Sequence, residues 1–237
     1  MSNRNMATFI KELDIEPEDS KQFSYQPGQY VQFVIPPHKT CFTEFQIDVP
    51  HLQVWEQMGL FEHFAENTIY SKRNYSMATN PSTDKKLKFN IRIAIASEGK
   101  TTSAGIGSSY VFGLKPGDTV ELVGPFGDFQ VKKSNREMIY LGGGAGMAPL
   151  HSHLSYLFET EKTNRKVSFW YGARSVNDIF YDDYFRKLEK ENANFTFHLA
   201  LSEPDTQNDW NGSIGFIHEV LLKEYLSEHE KPNKIEY

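Results

Sequence analysis

An antiparallel β-barrel of short strands, followed by an α/β domain built on a parallel sheet, is the fold class that this 237-residue sequence predicts. Three observations predict it. Up to residue 134 the chain reads as short β-prone runs divided by Gly and Pro turns, the pattern of an antiparallel barrel. From residue 135 onward apolar runs alternate with helical patterns, as in βαβ units. Between them, at 138–154, MIYLGGGAGMAPLHSHL takes an apolar run into glycines and then into a helix. The domains expected are 1–134 and 135–237. The second is expected to be incomplete, because Ile235-Glu236-Tyr237 opens another strand at the end of the sequence and a short parallel sheet would leave an edge uncovered.

In chain order, a β-prone run covers Met6 to Ile15, and a second, Gln29 to Ile35, alternates Val31, Phe33 and Ile35 on one face after Pro27-Gly28. Residues 38–72 read as a long irregular insertion with scattered aromatics, in which Gln53 to Glu66 could carry a helix. The clearest strand follows the turn Asn80-Pro81-Ser82: Leu87, Phe89, Ile91, Ile93 and Ile95 share one face. Its other face aligns Lys88, Asn90 and Arg92, either as a solvated surface or as a ligand-facing one. A flexible Gly99 to Thr102 is expected to lead into Gly105-Ile106-Gly107-Ser108-Ser109 and a short helix over Tyr110 to Leu114. That approach is either a serine cap or an anion site. Thr119 to Val123 and Phe129 to Val131 read as strands around Gly124-Pro125-Phe126-Gly127. In the second domain the pattern places strands at Val167 to Ala173 and Phe195 to Leu201, with helices at Asn177 to Glu191 and Phe216 to Leu226.

The glycine stretch carries the most chemistry. Gly142, Gly143, Gly144 and Gly146 free the backbone where a strand meets a helix, and Pro149 suits that helix's first turn. Unpaired N–H groups and the helix dipole then converge on a point that a phosphate can approach closely. Gly144-Ala145-Gly146-Met147-Ala148-Pro149 is G-x-G-x-x-P, with proline at the third position of the usual dinucleotide fingerprint. A pyrophosphate is the expected ligand, against the alternative of a tight turn alone.

Composition narrows the classes. A net charge of −6 argues against nucleic acid as the main partner. The single cysteine, Cys41, excludes an internal disulfide or a cysteine-held cluster within these residues. No stretch reaches the length of a membrane span and no signal peptide is expected, so the chain reads as soluble. His151-x-His153 has the wrong spacing for two ligands on one helix face, and no metal is expected there.

With these pieces in order, the sequence resembles the ferredoxin–NADP reductase superfamily, in which an FAD-binding barrel precedes a nicotinamide-binding α/β domain. Arg73-x-Tyr75-Ser76 looks like its flavin motif, Gly105-x-x-Ser108-Ser109 like its flavin phosphate motif, and Gly142 to Pro149 like its NAD(P) motif. GGGAGMAP, Ser152-His153, SFWYGARS at 168–175 and Gly215-Phe216-Ile217-His218 are similar to the F subunits of the sodium-translocating NADH:quinone oxidoreductases.

The resemblance implies roles. Arg73 would pair with the FAD pyrophosphate, Tyr75 would stack on the isoalloxazine, and the Ser76 hydroxyl would bond near flavin N5, making Tyr75 and Ser76 the residues closest to catalysis. Asn90 and Arg92 would reach the flavin from the neighbouring strand, and Gly105, Ser108 and Ser109 would meet its phosphates. NADH would lie across Gly142, Gly143, Gly144, Ala145, Gly146 and Pro149, with Gly172, Ala173, Arg174 and Ser175 near its adenosine half. It further implies an electron-input flavoprotein that passes electrons from FAD singly to a 2Fe-2S centre in a ferredoxin-like domain of the same full-length subunit. That subunit would work with other subunits of a quinone-reducing, sodium-transporting complex on the cytoplasmic side of the bacterial inner membrane. A reductase feeding an oxygenase or ferredoxin, and a non-catalytic flavin-binding fragment, are the rival readings. NADH is expected over NADPH, since few cations cluster after the second strand. His151 stands where related sequences commonly have arginine, and the family's Cys-Gly-Pro-Pro segment would lie beyond Tyr237.

Overall fold

The computed structural model describes residues 2–18, 23–95, 104–204 and 210–237; the Gly99 to Thr102 stretch lies outside them. The chain opens with a hairpin, β1 (Ser2–Ala7) and β2 (Ile10–Ile15), where the sequence pattern suggested one run from Met6. Strand β1 is polar, SNRNMA, and is a strand because β2 pairs with it, not because of its own pattern. Strand β3 (Tyr30–Ile35) alternates as expected. Strands β4 (His38–Cys41), β5 (Phe64–Asn67), β6 (Ser71–Ser76), β7 (Leu87–Arg92) and β8 (Glu121–Phe126) complete the first part. They form the antiparallel sheets β1-β2-β7 and β6-β3-β8 and the small pair β4-β5. Between the two larger sheets lies a core of Leu13, Val31, Phe33, Ile35, Phe89 and Ile91. Strand β8 begins later than the pattern placed it, and Phe129 to Val131 is not a strand.

Residues 38–72 are not irregular. Between β4 and β5 they hold helix α1 (Val49–Gln57), which starts four residues before the helix considered at Gln53, with Asp48 at its N-cap and Pro50 in the first turn, a proline-started terminus. Trp55 is the keystone: fully buried among Phe42, Phe45, Phe61 and Phe112, it donates from Nε1 to the Thr8 carbonyl at 2.7 Å. Helix α2 (Ile106–Gly113) begins at the glycines themselves, ahead of the predicted Tyr110.

The second part is a parallel sheet of β9 (Met138–Gly142), β10 (Val167–Ala173), β11 (Phe195–Leu201) and β12 (Ser213–Ile214), ordered β12-β11-β10-β9. Glu236 makes a parallel bridge to Met138, beside β9. Helices α3 (Met147–Ser155) and α4 (Asp182–Glu191) cover one face through Leu150, Leu154, Phe185 and Leu188. Helix α5 (Ile217–Glu224) covers the other, with Val220 and Leu221 on Ile139, Trp170 and Ala200. Helix α4 starts at Asp182 rather than Asn177 because 176–178 is a 3₁₀ turn and Tyr181 sits in the left-handed region at φ 62°, which ends any continuous helix there.

The two parts are joined by a polar seam. His151 Nδ1–H donates to the Ala78 carbonyl at 2.7 Å, and Ser152 Oγ donates to that of Thr79 at 2.6 Å. His153 shares Nε2–H between the carbonyls of Pro27 (3.2 Å) and Phe129 (3.1 Å). The two histidines thus serve different partners on different sides of α3. Burial pushes both imidazoles below their ordinary value, so each stays neutral near pH 7.

Candidate functional site

Strand β6, at the edge of its sheet, presents Arg73, Tyr75 and Ser76. Arg73 is exposed, and among the described residues its guanidinium donates only to the Lys72 carbonyl, at 2.8 Å. Tyr75 stands edge-on to Phe33 at 5.1 Å. Burial pushes its phenol up to about 12, partly offset by Arg73, so the ring stays neutral at physiological pH.

The glycines at the start of α2 have a specific reason to be there. A Cβ on Gly107 would lie 2.6 Å from Arg73 Cγ and 2.8 Å from Tyr75 Oη, so its absence lets the helix N-terminus sit against both residues. Ser108 Oγ is committed locally: it accepts from the Ala94 N–H at 3.0 Å and donates to the Gly105 carbonyl at 3.1 Å. Ser109 is 0% exposed, and its hydroxyl has no partner among the described residues. Such a group is uncommon in a folded chain and asks for a ligand or an ordered water.

The second glycine cluster sits at the carboxyl end of β9, where open α/β sheets bind ligands. Gly143 is required by close approach, since a Cβ there would lie 1.9 Å from the Gly172 carbonyl oxygen. Gly144 takes φ +58°, and a Cβ on exposed Gly146 would meet nothing within 4 Å, leaving room at the mouth of α3. Ala145 and Pro149 flank that opening, half-buried. Gly172 and Ala173 end β10 alongside. Arg174 is directed elsewhere: its Nε lies 3.5 Å from Asp178 Oδ2, and its guanidinium lies over the Phe9 ring at 5.3 Å. Ser175 Oγ also donates to Asp178, at 2.9 Å.

Strand β7 stands between the clusters. Arg92 is exposed on it, and Ile10, its partner on β2, has Cδ1 within 3.8 Å of where a Cβ of Gly144 would be. Asn90 is not on an open surface: it is 5% exposed and donates from Nδ2 to Tyr181 Oη at 3.0 Å. Two glycine-opened helix N-termini therefore face a common strand, an arrangement able to hold two phosphate-bearing ligands near each other.

Comparison with known proteins matches each part of the chain to a nucleotide-binding domain. The Oxidoreductase FAD-binding domain model matches residues 38–131 and the Oxidoreductase NAD-binding domain model residues 140–236. The F subunit of the Na(+)-translocating NADH-quinone reductase of Colwellia maris is 42% identical over 238 residues, covering 100% of this chain and 78% of the relative. The chain belongs to this family of F subunits. The corresponding proteins of Pseudomonas aeruginosa UCBPP-PA14 (43% identical) and Klebsiella pneumoniae (42%) are likewise matched over the whole chain, which spans 58% of their length.

Solved structures with the same fold include the Amycolatopsis cytochrome P450 reductase GcoB (TM-score 0.67, 22% identical, 95% of this chain and 56% of that one). Another is the FAD/NAD-binding domain of Vibrio cholerae nitric oxide dioxygenase (TM-score 0.68, 17% identical, 99% and 93%). The fold expectation, a barrel-like FAD-binding part and a parallel-sheet NAD-binding part, holds for this member of the family. FAD and NAD are the cofactors of its two matched domains. Among the described residues no helix is long and apolar enough to cross a membrane.

Sequence reasoning missed Glu12, Tyr181, Gly107 and the part His153 plays in the seam. For Gly107 there was a signal, a second glycine two residues after Gly105. Glu12 and Tyr181 meet across 169 positions of sequence, and no local pattern announces such a pair.

Proposed function

We propose that the chain is the electron-input module of a sodium-translocating NADH:quinone reductase, taking NADH as reductant and passing electrons through FAD to a 2Fe-2S centre outside this sequence. The observation that carries the reading is the pair of glycine-opened helix N-termini, α2 and α3, on either side of β7. The orphaned Ser109 hydroxyl and the open space at Gly146 fit two pyrophosphates. Bound FAD supplies a two-electron acceptor that can release electrons one at a time.

In this reading the chain's residues position and neutralise; none needs to act as a general acid or base. Arg73, whose planar guanidinium matches a phosphate, holds the FAD pyrophosphate with Gly105, Ser109 and Ser108, the last through its main chain, since its hydroxyl is committed locally. The Tyr75 ring covers the isoalloxazine, and Ser76 donates near N5. Arg92 and Asn90 face the flavin from β7. Gly142, Gly143, Gly144, Ala145, Gly146 and Pro149 form the NADH pyrophosphate cradle, and Gly172, Ala173, Arg174 and Ser175 flank the adenosine ribose. Positioning at roughly 3–3.5 Å is then the catalysis. Asp178 beside Arg174 favours NADH, because a 2′-phosphate would meet a carboxylate there. The remaining parts of the proposal are assembly with other subunits at the cytoplasmic face of the membrane, a ferredoxin-like domain in the longer subunit, and domain limits of 1–134 and 135–237.

An anaerobic absorbance spectrum of the chain with FAD, before and after NADH, tests the reading. Bound flavin that bleaches with NADH, and more slowly with NADPH, is expected; flavin that stays oxidised would leave a binding fragment only. Arg73→Ala is expected to weaken FAD retention by about 1.5–3 kcal/mol, the worth of a charged hydrogen bond, and unchanged flavin content after dialysis would remove Arg73 from the site.

A further inference from the structure

Asn90 belongs to a hydrogen-bond chain whose direction is fixed from one end. Arg4, a donor only, gives Nη2 (2.6 Å) and Nε (3.1 Å) to Glu12 Oε1. The other carboxylate oxygen, Oε2, is bonded by Tyr181 Oη. Burial alone would raise the Glu12 carboxyl, but Tyr181, Arg4 and nearby Lys88 hold it below its ordinary value, so it is ionised and can only accept. Tyr181 must therefore donate to Glu12, and its oxygen receives Asn90 Nδ2–H. This settles which way round the Asn90 amide lies, a choice that depends on such networks. Its Oδ1 is then turned away from Tyr181, buried, with no partner among the described residues.

The place of that oxygen matters. The Ala78 N–H donates to the Lys88 carbonyl at 2.8 Å, so the residues just after Ser76 run beside β7 close to Asn90. An unpaired buried acceptor thus lies near the end of the Arg73-x-Tyr75-Ser76 run. The oxidised isoalloxazine ring has one hydrogen-bond donor, N3–H.

We propose that Asn90 Oδ1 accepts flavin N3–H, and that Tyr181, from the nucleotide-binding part of the chain, is a positioning residue that holds the amide in that orientation through Glu12. The inference rests on the FAD reading above and deepens it. The flavin preference of the barrel is thereby set by a side chain of the other domain.

The chain of donors makes a sharp test, because Glu12→Gln reverses it. Arg4 still claims the Gln oxygen, so the Gln amide nitrogen faces Tyr181 and donates; Tyr181 then donates to Asn90 Oδ1, and the Asn90 amide turns its Nδ2–H₂ toward N3–H. The measurement is the Kd of apo-protein for FAD and for 3-methyl-FAD without nicotinamide, with melting temperatures as a check on folding. Wild type is expected to bind FAD roughly five- to tenfold more tightly than the methylated analogue, about the worth of one hydrogen bond. Glu12→Gln and Tyr181→Phe should lose most of that preference, by weaker FAD binding rather than by unfolding. Equal affinities in wild type, or a preference that survives in a folded Glu12→Gln chain, would overturn the proposal. An effect seen only on NADH binding would also overturn it. Failure of wild type to bind FAD at all would instead overturn the functional reading beneath it.

Discussion

Replacing Arg165 with alanine is expected to lower stability by about 3–5 kcal/mol, the cost of leaving a buried charge without its partner. Arg165 is 9% exposed and holds four groups at once: the carbonyls of Arg136 (2.7 Å) and Lys132 (3.0 Å), Ser134 Oγ (3.0 Å), and Glu236 Oε2 (2.6 Å). Three of these belong to 132–136, the connection between the barrel and β9, and the fourth to the segment that bridges Met138. The Glu236 carboxylate, 10% exposed, would keep only Ser134 as a bonded partner among the described residues. Its carboxyl is now below the ordinary range because Ser134, Arg165 and Lys132 outweigh burial. A fall in melting temperature of roughly 6–20 °C should accompany the change. A loss under about 1 kcal/mol by denaturant titration would show that the connection holds without this clamp.

Lys11→Met is expected to act in the opposite direction. Lys11 is 1% exposed, with Nζ 3.5 Å from the Phe112 carbonyl and 5.3 Å from the Phe112 ring centre, and no carboxylate makes an ion pair with it among the described residues. Burial pushes its ammonium down to about 8 from 10.5, against the smaller opposing pull of Asp48. Between these values the unfolded chain binds the proton more tightly, so stability should rise with pH from about 8 to 10.5. Below pH 8 the lysine is charged in both states and the whole burial penalty is in force. Methionine of similar length removes it, with a gain on the order of 2–3 kcal/mol at pH 7 that shrinks toward zero near pH 10.5. Measuring the difference between variant and wild type at pH 7 and pH 10 cancels groups that titrate alike in both. A variant less stable than wild type at pH 7 would show that the Phe112 contacts outweigh the desolvation.

Strands β10 and β11 were legible to the residue because their apolar and aromatic runs sit in the middle of a parallel sheet, bounded by polar residues at each end. The glycine cluster at 142–146 was legible for a similar reason: a local backbone demand writes itself in local residue types. Helix α1 was only half legible, although Asp48-Val49-Pro50 is a regular start signal, because only His51 and Trp55 of its nine residues are buried, too few to write a helical period. Tyr181 was illegible as the end of a turn, being a non-glycine residue at positive φ held there by tertiary bonds. On β7 the alternation was read correctly, but whether Asn90 met solvent or protein depended on a domain more than forty residues further along.

The seam between the two parts has an uneven grammar. On the α3 side it is written in side chains, His151, Ser152 and His153, whereas on the barrel side all four acceptors are main-chain carbonyls, those of Pro27, Ala78, Thr79 and Phe129. Carbonyls survive most substitutions, so this stretch of the barrel face can drift in sequence without losing its hold on α3. A barrel taken from a relative and grafted onto this helix should keep these four bonds as long as its backbone follows the same path, and the side chains it must bring with it are those that meet the second part elsewhere: Glu12 and Asn90 at Tyr181, and Asn80 at Thr160.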